Sequence, residues 1–148
     1  MKRDVRWLWL IGGVFVGFAT WIAVGGFGFL VLRTAWSSYA MAEPTKAYTL
    51  PMLFARLAVG VVCTITAGAV SMIVAKHSGA VNWWLGGLLL LISAPIHVGW
   101  VWTDYPPWYH VAYLVPLMPL TISGGFLVTI FARKREMRVT ATRETRGP

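Results

Sequence analysis

The sequence predicts an all-α fold, namely a polytopic integral membrane protein built as a bundle of four transmembrane helices. Of its 148 residues, 57% are hydrophobic and only 12% are charged, whereas a soluble domain carries about 25% charged residues. Crossing a hydrocarbon core about 30 Å thick takes roughly 20 apolar residues as helix. Lipid offers an open backbone no hydrogen-bond partners, so each such run is predicted to be helical. Four runs qualify: 7–32, 53–75, 83–102 and 111–132.

Lysine and arginine placement predicts the orientation of these spans. With the amino terminus inside, ten of the 13 lysines and arginines fall on the inner side, and cytoplasmic loops carry such an excess. Both termini are therefore predicted to be cytoplasmic. The small size and simplicity of the chain favour the inner (plasma) membrane of a bacterium. The net charge of +8 is assigned to topology rather than to a nucleic-acid partner. The three cations left on the outer side are Arg33, Lys46 and Arg56.

The chain divides into a transmembrane domain, 1–132, and a basic cytoplasmic tail, 133–148. The tail is net positive, and basic residues near a bilayer are attracted to anionic lipids. Its first turn is expected to continue the last helix. From about residue 139 the tail is expected to be disordered, because its composition offers little to bury.

The first span also fits a secretory signal, since Ala40-Met41-Ala42 resembles a cleavage site. Its apolar run of about 26 residues exceeds the 7–15 residues of a signal core, so a retained span is predicted. Gly13 and Gly17 begin a stripe of small residues, which lets helices approach closely in lipid. Packing within the bundle is preferred for this stripe over a homodimer face.

The second span carries an arginine. Pro51 suits the first turn of a helix, which predicts a start near Leu50 and places Arg56 about 9 Å along the axis. A cation at that depth must reach the headgroups or find an anion. Asp104 and Glu43 are the expected partners.

The third and fourth spans contain Pro95, Pro116 and Pro119. Proline removes a backbone donor and clashes with the preceding turn, so bends are predicted at all three positions. All three lie in the outer halves of their spans. Helices bent apart there would leave a cavity open to the outside.

The stretch 93–113 brings histidines, aromatic residues and an aspartate to the same predicted outer side, where all five tyrosines also lie. Imidazole and carboxylate are suitable metal ligands, so His97 and His110 are the candidate metal ligands. However, His97 lies nine residues from a hairpin apex at Pro106 and His110 only four, which predicts unequal depths and weakens both metal and haem binding. An aromatic pocket for a quinone or lipid remains. The candidate binding residues are Arg56, His97, Trp100, Asp104, Tyr109, His110 and Tyr113.

The sequence contains no motif for an enzyme: there is no Gly-rich phosphate loop, no H-E-x-x-H and no C-x-x-C. No Asp or Glu lies within a span, which disfavours an ion-coupled pump. The leading hypothesis is a small non-enzymatic membrane protein, an accessory subunit that packs with itself or with a larger membrane partner. The alternative is an outer-leaflet protein that binds a quinone, lipid, metal or haem. The sequence requires no cofactor.

Overall fold

The structure, a computed structural model, describes residues 3–144. This part of the chain is all-helical and holds no β-strand, which confirms the predicted all-α class. The segments in order are α1 (Arg3–Ala35), α2 (Ser37–Ala42), α3 (Leu50–Val74), α4 (Ala80–Pro95), a π-helical turn (Ile96–Trp100), a 3-10 turn (Trp102–Asp104), α5 (Pro107–Leu114) and α6 (Leu117–Glu144).

Four helical stretches are long and apolar enough to cross a membrane, and they correspond to the four predicted runs. They are Arg6–Ala35, Leu50–Val74, Ala80–Trp100 and Pro107–Arg135. The predicted start of the second helix is confirmed, because Thr49 is the N-cap of α3 and Pro51 lies in its first turn. α6 continues to Glu144, past the residue from which disorder is expected. The disorder of the tail stays a prediction, and residues 145–148 lie outside the described part.

The helices form a bundle in which α3 packs on α1 and α6, and α4 packs on α6 and α1. Consecutive helices are therefore not always the closest partners, because α3 and α4 contact each other much less than each contacts α6. A short link fixes only that two helices share an end. Side-chain size then decides which faces meet, and small residues favour the α1–α3 and α3–α6 pairs. Ala67, Leu85, Leu89 and Leu117 form the largest buried apolar cluster.

Glycines set the two closest helix crossings. A Cβ at Gly13 would lie 2.9 Å from the Ser71 carbonyl oxygen, and one at Gly17 would lie 2.8 Å from the Ser71 Cβ. This confirms that the G-x-x-x-G motif packs within the bundle. In the α3–α6 crossing, a Cβ at Gly68 would collide with the Thr121 carbonyl. Close backbone approach of this kind is how helices associate without a hydrophobic driving force.

Prolines interrupt the third and fourth helical stretches where they are predicted to. Pro95 has no N–H to donate to Leu91, and the helix widens after it, so that the Val101 amide bonds to the Ile96 carbonyl at 3.1 Å. The fourth stretch breaks between α5 and α6 at Val115 and Pro116. The helix is thus interrupted at Pro95 and at Pro116, as predicted, whereas α6 runs through Pro119 without a break.

The bundle has two chemically different ends. Residues 33–49 and 97–113 meet at one end, which we call the aromatic end. At the other, the 75–79 link lies beside the start of α1, where the Lys76 ammonium sits 3.8 Å from the centre of the Trp9 ring. We call this the basic end.

Candidate functional site

Arg56 is the centre of the aromatic end. Its Nη1 donates to the hydroxyls of Tyr39 at 2.5 Å and Tyr48 at 3.3 Å, and its Nη2 donates to the hydroxyl of Tyr105 at 3.0 Å. Its guanidinium carbon also lies 4.8 Å from the centres of the Phe29 and Tyr48 rings. Tyrosine faces attract a cation through their quadrupole. The aromatic end therefore holds this charge with neutral groups.

The predicted anionic partners of Arg56 are wrong. Glu43 instead pairs with Arg33, accepting two hydrogen bonds at 2.6 and 2.8 Å, and Asp104 pairs with Lys46. The physical reason is depth: both carboxylates lie in links at the rim, where exposed cations are nearer than a guanidinium two turns into α3. The hydrogen bond from Arg33 lowers the pKa of the Glu43 carboxyl.

Tyr48 remains protonated at neutral pH beside the guanidinium. Burial raises the pKa of its phenol to about 12, although the nearby Arg56 acts in the opposite direction. Desolvation of this kind disfavours the charged form of a phenol. Arg56 is thus bound by a neutral hydroxyl rather than by a tyrosinate. The buried Nε of Arg56 has no hydrogen-bond partner.

His97 and His110 are in direct contact, with their Nδ1 atoms 2.9 Å apart. The prediction that they lie at unequal depths is wrong. His97 is three residues before Trp100, where its helix ends, and His110 is three residues after Pro107, where α5 begins. The six residues 101–106 connect the two helices across the bundle. The sequence count took Pro106 as the apex, so it added these residues to the depth of His97 and made His97 look deeper than His110.

The hydrogen bonds around the two imidazoles assign their protons. Nε2 of His110 lies 3.2 Å from the carbonyl oxygen of Trp102, which can only accept, so this nitrogen carries the proton of a neutral ring. Nδ1 of His110 is then an acceptor, and Nδ1 of His97 donates to it. This arrangement leaves Nε2 of His97 as an acceptor. The side-chain partner of His97 is therefore His110.

Stacked rings fill the space beneath the 101–106 link. His97 stacks on Tyr113 with ring centres 4.4 Å apart, and His110 stacks on Trp102 at 4.8 Å. Tyr109 and His110 are buried, at 3% and 1% exposure. The cavity that the three prolines were expected to open is therefore occupied by the protein's own side chains.

The structure brings together five of the seven candidate site residues and separates two. Arg56, His97, Tyr109, His110 and Tyr113 lie in one aromatic cluster. Asp104 stays at the rim with Lys46, and Trp100 points outward with 82% exposure. The candidate set omitted five residues that contact Arg56 or His110, namely Tyr39, Tyr48, Tyr105, Phe29 and Trp102. The one-sided distribution of tyrosines signalled the first three.

The donor set for a metal ion is small. Within residues 3–144, no group of three or more His, Cys, Asp or Glu side chains converges on one point. A metal at His97 and His110 would need tyrosine or water as its remaining ligands. A quinone or haem would have to displace the tyrosines that stack on His97.

The fold and its aromatic end define an all-helical bundle with a tyrosine-caged arginine beside a histidine pair. The sequence matches no protein-family model, and neither a curated protein nor a solved structure matches it significantly.

Proposed function

We propose that the chain is a membrane protein whose four apolar stretches span the bilayer, with the aromatic end outside and both termini in the cytoplasm of a bacterium. Two features support insertion: the mean hydropathy of the stretches is 1.5 to 2.3, and large apolar side chains such as Leu8, Phe15 and Leu91 are about 70% exposed. Soluble monomers rarely expose large apolar patches. The lysine and arginine bias supports the orientation.

Within that membrane, the protein acts as a small non-enzymatic subunit that associates through α1, and the face of α1 turned away from α3 carries this proposal. Six exposed or half-exposed positions, spaced alternately by four and three residues, form this heptad face. On this face small and large residues alternate, so that each kind recurs every seven positions. Such a seven-residue repeat is typical of a left-handed pair of helices. The heptad face consists of Leu8, Gly12, Phe15, Ala19, Ile22 and Gly26.

The partner that fits the heptad face is α1 of a second copy of the chain. A parallel pair would stack small layers, such as Gly12 on Gly12 and Gly26 on Gly26, between large layers such as Phe15 on Phe15. A Cβ at Gly12 or Gly26 would meet nothing within 4 Å, so these glycines are not needed for the packing of the bundle itself. Two chains of the same orientation would also place equal depths of α1 side by side.

The aromatic end supports a structural rather than catalytic role. Its ionisable groups are engaged with one another: Glu43 with Arg33, Asp104 with Lys46, and the histidines with each other. The ring stack fixes the 101–106 link against α3 and α5. A rigid cap of this kind orders the outer ends of the helices.

Disulfide trapping in native membranes tests the association. Gly26→Cys lies on the heptad face, whereas Phe27→Cys lies at the same depth but about 100° around the helix. Oxidation is expected to yield a covalent dimer from Gly26→Cys and not from Phe27→Cys; the native Cys63 is buried at 3% exposure and should stay silent. Equal trapping at both positions, or at neither, would contradict the dimer.

A bulk substitution provides the second test. Ala19→Leu should break the small layer and leave a monomer in native mass spectrometry, while Gly87→Leu on the open side of α4 should keep the dimer. If another protein instead copurifies at fixed stoichiometry and depends on Ala19, the heptad face binds that partner and not a second copy.

The histidine pair favours a second candidate function, the binding of a transition-metal ion. Two nitrogens bound to one zinc ion at 2.0–2.1 Å lie about 3.3 Å apart in a tetrahedral site, close to the 2.9 Å found between His97 and His110. Elemental analysis of the purified protein tests it. Stoichiometric zinc or copper that is lost in both His97→Ala and His110→Ala would support the metal, and metal-free wild type would reject it.

A further inference from the structure

The basic end contains a cavity of about 580 Å³ between the start of α1 and the 75–80 link. Its polar wall is made by Arg6, Lys76, His77 and Ser78, and none of the lining residues that the structure describes is acidic. Pockets of 300–1,000 Å³ are the usual size for small-ligand sites. The chemistry of this wall selects an anion.

The backbone holds the two neighbouring basic residues of this wall in an unusual conformation. Lys76 and His77 have φ of 52° and 65°, the left-handed region that side-chain-bearing residues seldom occupy. The Lys76 ammonium is held over the Trp9 ring. α4 begins next to it at Ala80, and its N-cap Gly79 has no side chain. The dipole of α4 adds to the positive character of the cavity.

A second cavity, of about 520 Å³, continues from the first along the groove between α1 and α4. The two cavities share Trp7, Leu10 and Trp84, so they form one cleft with a basic mouth and an apolar groove. From Trp7 to Phe18 the groove follows α1 for about 16 Å. That length is about half of a hydrocarbon core roughly 30 Å thick, the depth of a single leaflet.

We propose that this cleft binds one anionic phospholipid, with its phosphate and headgroup at Arg6 and Lys76 and one acyl chain in the apolar groove. The basic mouth complements the anionic head, and the wholly apolar groove complements the chain, so an amphiphile of this kind matches both parts at once. Inorganic phosphate would leave the groove empty. The inference rests on the proposed membrane insertion but not on association through the heptad face.

Lipid titration of the full-length, delipidated protein in detergent tests the headgroup. Native mass spectrometry should show one phosphatidylglycerol bound per chain, more tightly than phosphatidylcholine with the same acyl chains. Arg6→Gln combined with Lys76→Gln should weaken phosphatidylglycerol binding roughly 30-fold. Arg133→Gln combined with Lys134→Gln removes the same charge at the same end from residues outside the cavity lining and should leave binding unchanged.

A second pair of variants tests the groove. Leu88→Trp fills it and should reduce binding of both lipids, whereas Leu91→Trp, at a position 72% exposed and outside the groove lining, should not. Equal affinity for the two lipids, equal weakening by the two glutamine pairs, or displacement of phosphatidylglycerol by inorganic phosphate would overturn the proposal. Failure of the cleft would leave disulfide trapping at Gly26→Cys unaffected, so it can be told apart from failure of the proposed function.

Discussion

Arg56 brings a positive charge into the aromatic end, where its hydrogen-bond partners are tyrosine hydroxyls. These tyrosines come from three separate segments: Tyr39 from α2, Tyr48 from the link to α3, and Tyr105 from the link before α5. The planar guanidinium presents several donors in a fixed fork, so one side chain links three segments whose tyrosine rings also pack on one another. The charge of Arg56 thus organises this end of the bundle.

Substitution of Arg56 measures this role. Arg56→Met should lower the free energy of unfolding by about 2–3 kcal/mol, since hydrogen bonds to a charged group are worth about 1.5–3 kcal/mol. Removing a desolvated charge offsets part of this loss, but the hydroxyl of Tyr39, a residue with 0% exposure, would be left without its donor. Arg56→Lys should also destabilise, because an ammonium cannot reproduce the fork.

Thermal unfolding in a single detergent, followed by circular dichroism, checks this expectation. Arg135→Met removes the same charge from an exposed position and should leave the unfolding midpoint unchanged. An Arg56→Met midpoint equal to that of the wild type would show that the tyrosine cage contributes nothing to stability.

At the scale of helices, the bends and not the lengths decide what the aromatic end contains. The turn after Pro95 and the start of α5 at Pro107 leave His97 and His110 equally far from their helix ends, and the 101–106 link brings them together. The sequence predicts the helices, their interruption at Pro95 and Pro116, and the end of the bundle at which the tyrosines gather. Hydrophobic periodicity does not encode how much of a link runs across the bundle rather than along it, so the depth comparison of the histidines was wrong.

The α3–α6 crossing gives the prediction at this scale. Gly124→Ala should destabilise the protein by about 1–3 kcal/mol, as overpacking of a close contact does, because the new Cβ would collide with the Ile65 carbonyl. Gly87→Ala, with nothing within 4 Å of its Cβ, should be neutral or slightly stabilising, since alanine favours helix over glycine. Unfolding midpoints of the two variants in the same detergent decide it. Equal midpoints would mean that α6 can shift away from α3 without loss.

Across the whole molecule, the two ends of the bundle differ in how their charges are placed and in how completely they are filled. The aromatic end pairs its rim charges, encloses Arg56 among tyrosines and is filled by rings. The basic end carries an open cleft whose cations are available to a ligand. This asymmetry connects the orientation of the chain to the leaflet that could supply a lipid. With the termini in the cytoplasm, the cleft opens to the inner leaflet; in the opposite orientation it would open to the outer one.

Cysteine labelling in intact cells determines the orientation. Thr45→Cys at the aromatic end and Gly79→Cys at the basic end both introduce a thiol at an exposed position, and Cys63 is buried, so the wild type serves as the unlabelled control. A membrane-impermeant maleimide should label Thr45→Cys and leave Gly79→Cys unlabelled until the cells are permeabilised, because ten of the 13 lysines and arginines are predicted to stay inside. The reverse pattern would place the basic cleft outside, where the lysine and arginine excess would contradict the positive-inside rule and the lipid would have to come from the outer leaflet.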